Sequence, residues 1–154
     1  MTIDEACDAG DIETARRLFR AYAESLPFSL DFQNFAGELA GLPAPYTPPA
    51  GCLLLAREDS VAIGVVALKP LAAGIAEIKR LYVVEAGRGA GVGRRLAERA
   101  LEAACAKGYE RVRLDTHRAS MSAAMALYRR LAFVEIAPYG PDLGGEIAFF
   151  EKTL

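Results

Sequence analysis

Histidine is almost missing from this chain: His117 is the only one among 154 residues. That scarcity argues against a metal centre, which is usually built from clustered His and Cys ligands. It also argues against a Ser-His-Asp hydrolase, because no Gly-x-Ser-x-Gly accompanies the lone imidazole. A histidine following a strand and beside Arg118 reads as an exposed loop residue, with a site-lining base as the other reading. Cysteine is scarce as well. Cys7, Cys52 and Cys105 are odd in number and far apart, so they suggest neither a disulfide framework nor a metal spacing, and a reducing cytoplasm is expected. No apolar run approaches the roughly 20 residues needed to span a bilayer. The start Met-Thr-Ile-Asp-Glu lacks the basic-then-apolar pattern of a signal peptide. Neither an internal repeat nor a low-complexity segment is visible, and no membrane partner is expected.

What the chain does have is apolar content, 53% of its residues, ample for one core. A single domain over residues 1–154 is therefore expected. The net charge of −2 excludes a general polyanion binder, and with it a nucleic-acid partner. The distribution says more than the sum. Residues 79–130 hold 12 of the 18 Lys and Arg but only 5 of the 20 Asp and Glu, a local excess of +7. A basic middle between acidic flanks fits a phosphorylated ligand bound centrally and a cationic partner arriving from elsewhere; clustered surface charge is the plainer reading.

Periodicity gives the order of elements. A first strand is placed near Thr2 to Ala6. From Asp11, apolar residues at Ile12, Ala15, Leu18, Phe19 and Tyr22 share one helical face, with Asp8 or Asp11 as cap and Pro27 as the outer limit. A second helix is expected around Asp31–Ala40. Pro43, Pro45, Pro48 and Pro49 then bar any helix from 41–50, which reads as an extended connector within the domain. Cys52–Arg57, Val61–Lys69 and Ile75–Val84 read as a three-strand antiparallel meander. Val92–Lys107 is a helix with Val92, Leu96, Ala100, Leu101 and Ala104 inward and Gly108 as its C-cap. Arg111–Thr116 alternates as a half-buried strand. Ser120–Leu131 is helical, and Phe133–Ala137 and Glu146–Lys152 close the chain as strands. The class is α+β, with one mixed, mostly antiparallel central sheet flanked by about four helices.

Between the third meander strand and the following helix lies Arg88-Gly89-Ala90-Gly91-Val92-Gly93-Arg94. A glycine turn opening a helix gathers N–H groups without intrahelical partners, and the helix dipole adds positive charge, so it is a ready phosphate site. It is not a P-loop, because neither Lys nor Ser/Thr occurs between Arg88 and Arg99. It is not the dinucleotide fingerprint either. Counting Gly-x-Gly-x-x-Gly from Gly87, Gly89 or Gly91, the third glycine falls on Val92, Arg94 or Leu96.

What remains closely resembles the acyl-CoA pyrophosphate loop of the GNAT superfamily of N-acetyltransferases, Gln/Arg-x-x-Gly-x-Gly/Ala. Leu127-Tyr128-Arg129-Arg130-Leu131-Ala132-Phe133 is similar to that family's Leu-Tyr-x-x-x-Gly-Phe, one strand and one helix later. The likeness covers roughly the C-terminal two thirds. It departs at Ala86, where proline is common, at Ala132, where glycine is usual, and at Met121, where many members carry an asparagine that contacts the cofactor arm.

The resemblance implies a chemistry. Main-chain groups of Arg88, Gly89, Ala90, Gly91, Val92, Gly93 and Arg94 would hold the pyrophosphate of acetyl-CoA, and Leu81, Tyr82 and Val83 would pair with its pantetheine arm. Tyr128 is the implied general acid for the departing thiolate and Glu77 the implied general base, since an alkylammonium with a pKa near 10 must lose a proton first. A plainer reading has Glu77 paired with Lys79 and Tyr128 buried in core. The implied activity is acetyl transfer to a primary amine of a small molecule or peptide in a ternary complex, without metal; members of this fold often form a homodimer, and the sequence leaves the oligomeric state open. A non-catalytic acyl-CoA-binding or regulatory module on the same fold is the alternative.

Overall fold

The computed structural model describes residues 1–154. Eleven elements follow one another: β1 (Thr2–Glu5), α1 (Ala9–Glu24), α2 (Phe35–Gly41), β2 (Cys52–Glu58), β3 (Val61–Ala72), β4 (Ile75–Val83), α3 (Val92–Ala106), β5 (Arg111–His117), α4 (Ser122–Arg130), β6 (Val134–Ile136) and β7 (Ile147–Thr153). The strands make one sheet in the order β1-β2-β3-β4-β5-β7-β6. Only β4 and β5 run parallel; every other pair is antiparallel. The class is therefore α+β, as the periodicity indicates.

Strand alternation gives the sheet two apolar faces, each covered by helices. On one face Leu54, Val66, Leu68, Ile78, Leu114 and Phe150 pack with Leu96 and Ala100 of α3 and Met125 and Tyr128 of α4. On the other, Leu53, Leu55, Val65 and Ala67 pack with Leu18 and Phe19 of α1 and Phe35 of α2. Each fully buried Leu, Val or Phe stabilises by about 1.5–3 kcal/mol relative to exposure, so both helical layers are held by the same force.

Local chemistry sets the ends. The Asp8 carboxylate accepts the Asp11 N–H at 2.8 Å and caps α1. Asp59 and Ser60 both take positive φ, 47° and 67°, as a tight hairpin turn between β2 and β3 requires. Gly108, at φ +88°, ends α3 in the left-handed region.

Two expectations need correction. The helix placed over 31–40 is split: Asp31–Gln33 forms a short 3-10 turn, Asn34 goes left-handed at φ 53°, and α2 starts only at Phe35. Asparagine tolerates that conformation better than most residues, which is why the break falls there. The Pro-rich segment is a series of turns rather than an extended connector. It folds back to bury Tyr46 edge-on against Phe19, ring centroids 5.9 Å apart.

The feature that positions the site lies in β4. Its register with β3 runs Tyr82↔Val65 and then Lys79↔Ala67, so β4 spends three residues where β3 spends two. The extra residue makes a bulge, with Arg80 at φ +59°. β5, meanwhile, pairs with β4 only through Ile75, Ala76 and Glu77. Beyond Glu77 the two parallel strands part, and Ile78–Val83 lacks a strand partner on that side.

Candidate active site

The parting of β4 and β5 opens a cleft of about 460 Å³ that passes between the sheet's two helical layers. At one end it reaches Arg88 and Gly93 at the start of α3, and Ala124, Leu127 and Tyr128 of α4. At the other it reaches Tyr22, Ser25 and Leu26 of α1. Its floor is β4 from Ile78 to Val83, facing Asp115 and Thr116 of β5.

At the α3 end, the main-chain N–H groups of Gly89, Ala90, Gly91, Val92, Gly93 and Arg94 donate to no acceptor in the protein; internal bonding resumes with Arg95, whose N–H meets the Gly91 carbonyl at 3.1 Å. No side chain caps the helix. Gly89 and Gly91 take φ +84° and +77°, and a Cβ added at either meets nothing within 4 Å. The loop is thus a row of unspent donors at a helix N-terminus, facing open space. Arg88 turns back instead: its Nε donates to the Val83 carbonyl at 3.0 Å, and the guanidinium lies over the Tyr82 ring at 5.8 Å. Arg94 is exposed and bonded to Glu98 one turn on.

Tyr128 is 5% exposed and packs edge-on against Phe133. Its hydroxyl has no partner among the protein's hydrogen bonds, yet no polar side-chain atom is both buried and unsatisfied. The hydroxyl therefore opens on the cleft. Burial, with Tyr22 and Asp115 adding to it, pushes this phenol well above its ordinary value, so it stays protonated at physiological pH.

Glu77 is placed differently from Tyr128. It is 4% exposed, at the last point where β4 and β5 pair, and does not line the cleft. The Tyr139 hydroxyl donates to it at 2.6 Å, and Lys69 of β3, rather than Lys79, lies 3.6 Å away. Tyr139 in turn is pushed up by burial and by the Glu77 charge, which fixes it as the donor. One carboxylate oxygen thus accepts from Tyr139 and the other lies beside Lys69.

The carboxylate that does reach the cleft is Asp115. Lys79 Nζ lies 3.2 Å from its Oδ2 and 3.3 Å from Gln33 Oε1, while Gln33 Nε2 reaches Asp115 Oδ2 at 3.4 Å. Beside them the bulged Arg80 donates to both oxygens of Glu38, at 2.9 and 2.8 Å, and to Gln33 at 2.8 Å. It also lies over the Phe35 ring at 5.1 Å. Burial works against the Arg80 charge, but the Glu38 bonds outweigh it and hold the guanidinium protonated. Tyr22, on the same wall, is pushed up to about 12, chiefly by burial.

His117 also departs from expectation. It is 7% exposed and ends β5, its ring tilted against Phe28 with centroids 4.5 Å apart. Nδ1 accepts the Ser120 main-chain N–H at 3.2 Å, so the neutral ring carries its proton on Nε2, toward Glu146 at 3.7 Å. Met121, in place of the common asparagine, lines the cleft and accepts from Thr116 Oγ1 at 3.0 Å. No group of three or more His, Cys, Asp or Glu is arranged to hold a metal ion. No helix is long and apolar enough to cross a membrane.

Sequence reasoning missed Lys79, Arg80, Asp115, Gln33 and Tyr22. The available signal was the Asp in Arg-Val-Arg-Leu-Asp, an acid at the end of a strand that alternates inward and outward.

Known proteins resemble this chain in sequence and in fold. The pattern of the Acetyltransferase (GNAT) family matches residues 13–133. An uncharacterized N-acetyltransferase of Schizosaccharomyces pombe is 34% identical over 131 residues, covering 84% of this chain and 80% of that one. The fold superposes on a GNAT-family acetyltransferase of Staphylococcus aureus with a TM-score of 0.79 at 18% identity, covering 99% of this chain and 98% of that one. It also superposes on the PaiA N-acetyltransferase of Thermoplasma acidophilum, solved in complex with coenzyme A, with a TM-score of 0.69 at 22% identity over the whole of both chains.

Proposed function

This chain belongs to the GNAT acetyltransferase family, and from that premise we propose that it moves an acetyl group from acetyl-CoA to a primary amine, with both substrates bound in the one cleft. The observation that carries this reading is the cleft itself: unspent loop donors and an open phenol at one end, a carboxylate within reach at the other.

The residues present fit the cofactor. Gly89 to Arg94 offer consecutive N–H donors at a helix N-terminus, in space that any Cβ on Gly89 or Gly91 would fill, which suits a pyrophosphate. Arg88 and Arg94 add positive charge to that surface. Leu81, Tyr82 and Val83 lie on the part of β4 that β5 has left, which suits an extended amide-bearing arm added as a strand would be, with Arg88 now bonded to the Val83 carbonyl. Acetyl-CoA supplies an activated thioester, whose C–S bond breaks as the amine's N–C bond forms.

The protein's own groups handle the protons. Tyr128 gives its phenolic proton to the departing sulfur and regains one from solvent; its raised pKa keeps it in the donating form. A main-chain N–H of the unpaired β4 segment polarises the acyl carbonyl. Asp115 receives the incoming ammonium, whose nitrogen gives up two protons to cleft water, one before attack and one as the amide forms; with one proton returned to Tyr128, a net one proton is released per turnover. Glu77, held by Tyr139 and Lys69, acts as a positioning group where the strands part.

The test is Tyr128→Phe, followed by free-thiol release from acetyl-CoA in the presence of amines. Turnover should fall on the order of 100-fold while acetyl-CoA affinity changes little. Binding of acetyl-CoA without amine-dependent thiol release by the wild type would select the non-catalytic module instead.

A further inference from the structure

We infer that the acceptor is a free α-amino acid with a neutral side chain, held as a zwitterion by the Lys79–Asp115 pair. The inference rests on the transferase reading above and names its substrate class.

The argument starts from unfilled valences. Lys79 Nζ has three N–H donors. Two are accounted for by Asp115 Oδ2 and Gln33 Oε1. Asp115 accepts through Oδ2 only; no group in the protein donates to Oδ1, and since no polar side-chain atom is both buried and unsatisfied, that oxygen opens on the cleft. One spare donor on a cation and one spare acceptor on an anion therefore stand side by side on the cleft wall. An α-ammonium and its own α-carboxylate, one carbon apart, present the complementary donor and acceptor.

Charge decides between acceptor classes. The pair is neutral, so a zwitterion enters without adding net charge to a half-buried site. A simple alkylammonium would satisfy Asp115 but leave the Lys79 donor facing carbon, and burying an unpaired charge is costly. Arg80 is held back from the carboxylate, because its side chain is only 2% exposed and three of its five N–H donors go to Glu38 and Gln33. The bulge at Arg80 and the left-handed break at Asn34 bring Lys79 and Gln33 together from distant parts of the chain. The rest of the wall, from Tyr22, Leu26 and Met121, carries no further charge, which suits a neutral side chain.

The decisive experiment needs only the wild-type protein. Thiol release from acetyl-CoA is measured with the amino acids, with their amides, and with the matching alkylamines that lack the carboxylate. The best free amino acid should exceed its own amide in kcat/KM by about tenfold or more, the usual weight of a charge-assisted hydrogen bond. Lys79→Met should collapse that ratio to about one while acetyl-CoA affinity, read by calorimetry, stays put. Amides or alkylamines reacting as well as or better than every free amino acid would overturn the inference and leave the transferase reading intact. No thiol release with any amine would overturn both.

Discussion

Toward α3 the cleft, lined there by Leu127, Tyr128 and Gly93, runs out to a wall of main chain, the unbonded N–H groups of Gly89 to Arg94. Toward α1 it is built from side chains: Tyr22, Lys79, Arg80 and Asp115, with Gln33 behind them. The first wall lies within one turn of chain. The second is tied by hydrogen bonds between residues as far as 82 positions apart. A main-chain wall is indifferent to most substitutions and suits a ligand that never changes, whereas a side-chain wall can be rebuilt residue by residue. On the function proposed above, the first wall would hold the common acetyl donor and the second would choose the particular acceptor.

The largest blow to the side-chain wall is Glu38→Ala. It strips the bidentate partner from the buried Arg80 guanidinium, and losing one member of a buried ion pair costs about 3–5 kcal/mol. Denaturant unfolding should show that loss. If the two walls are independent, acetyl-CoA affinity in the surviving folded protein should stay near the wild-type value. A parallel fall in affinity would break the comparison. At the small end, Ala132 takes φ +69° at the end of α4, where glycine would relieve the strain. Ala132→Gly should raise stability by about 1 kcal/mol and leave both walls untouched. A change in acetyl-CoA affinity there would show that α4 couples them.

The same contrast explains what could be read from sequence. The glycine loop is a local string, and its anion chemistry follows from residues that are neighbours in the chain. Sheet class, capping by Asp8 and the inward stripe of α3 were legible for the same reason: each depends on periods of two to four residues. The Lys79–Asp115 pair was not, because nothing in either local pattern says that β4 and β5 part between them. The partners of Glu77 are hidden for a related reason: an acid in an apolar strand signals something unusual, but nothing local says that Tyr139, in the turn-rich segment before β7, donates to it. His117 likewise reads as exposed until Phe28, far away in sequence, packs against it.

The most direct test of the main-chain wall is to titrate acetyl-CoA into the isotopically labelled protein while following the amide resonances of Gly89 to Arg94, with Gly91→Glu as the control. The wild-type signals should move and saturate together. In Gly91→Glu, where a carboxylate enters the open space beside those donors, affinity should fall on the order of 100-fold, about 2.7 kcal/mol. Saturable binding that leaves those six amides unmoved, or that Gly91→Glu does not weaken, would contradict the account.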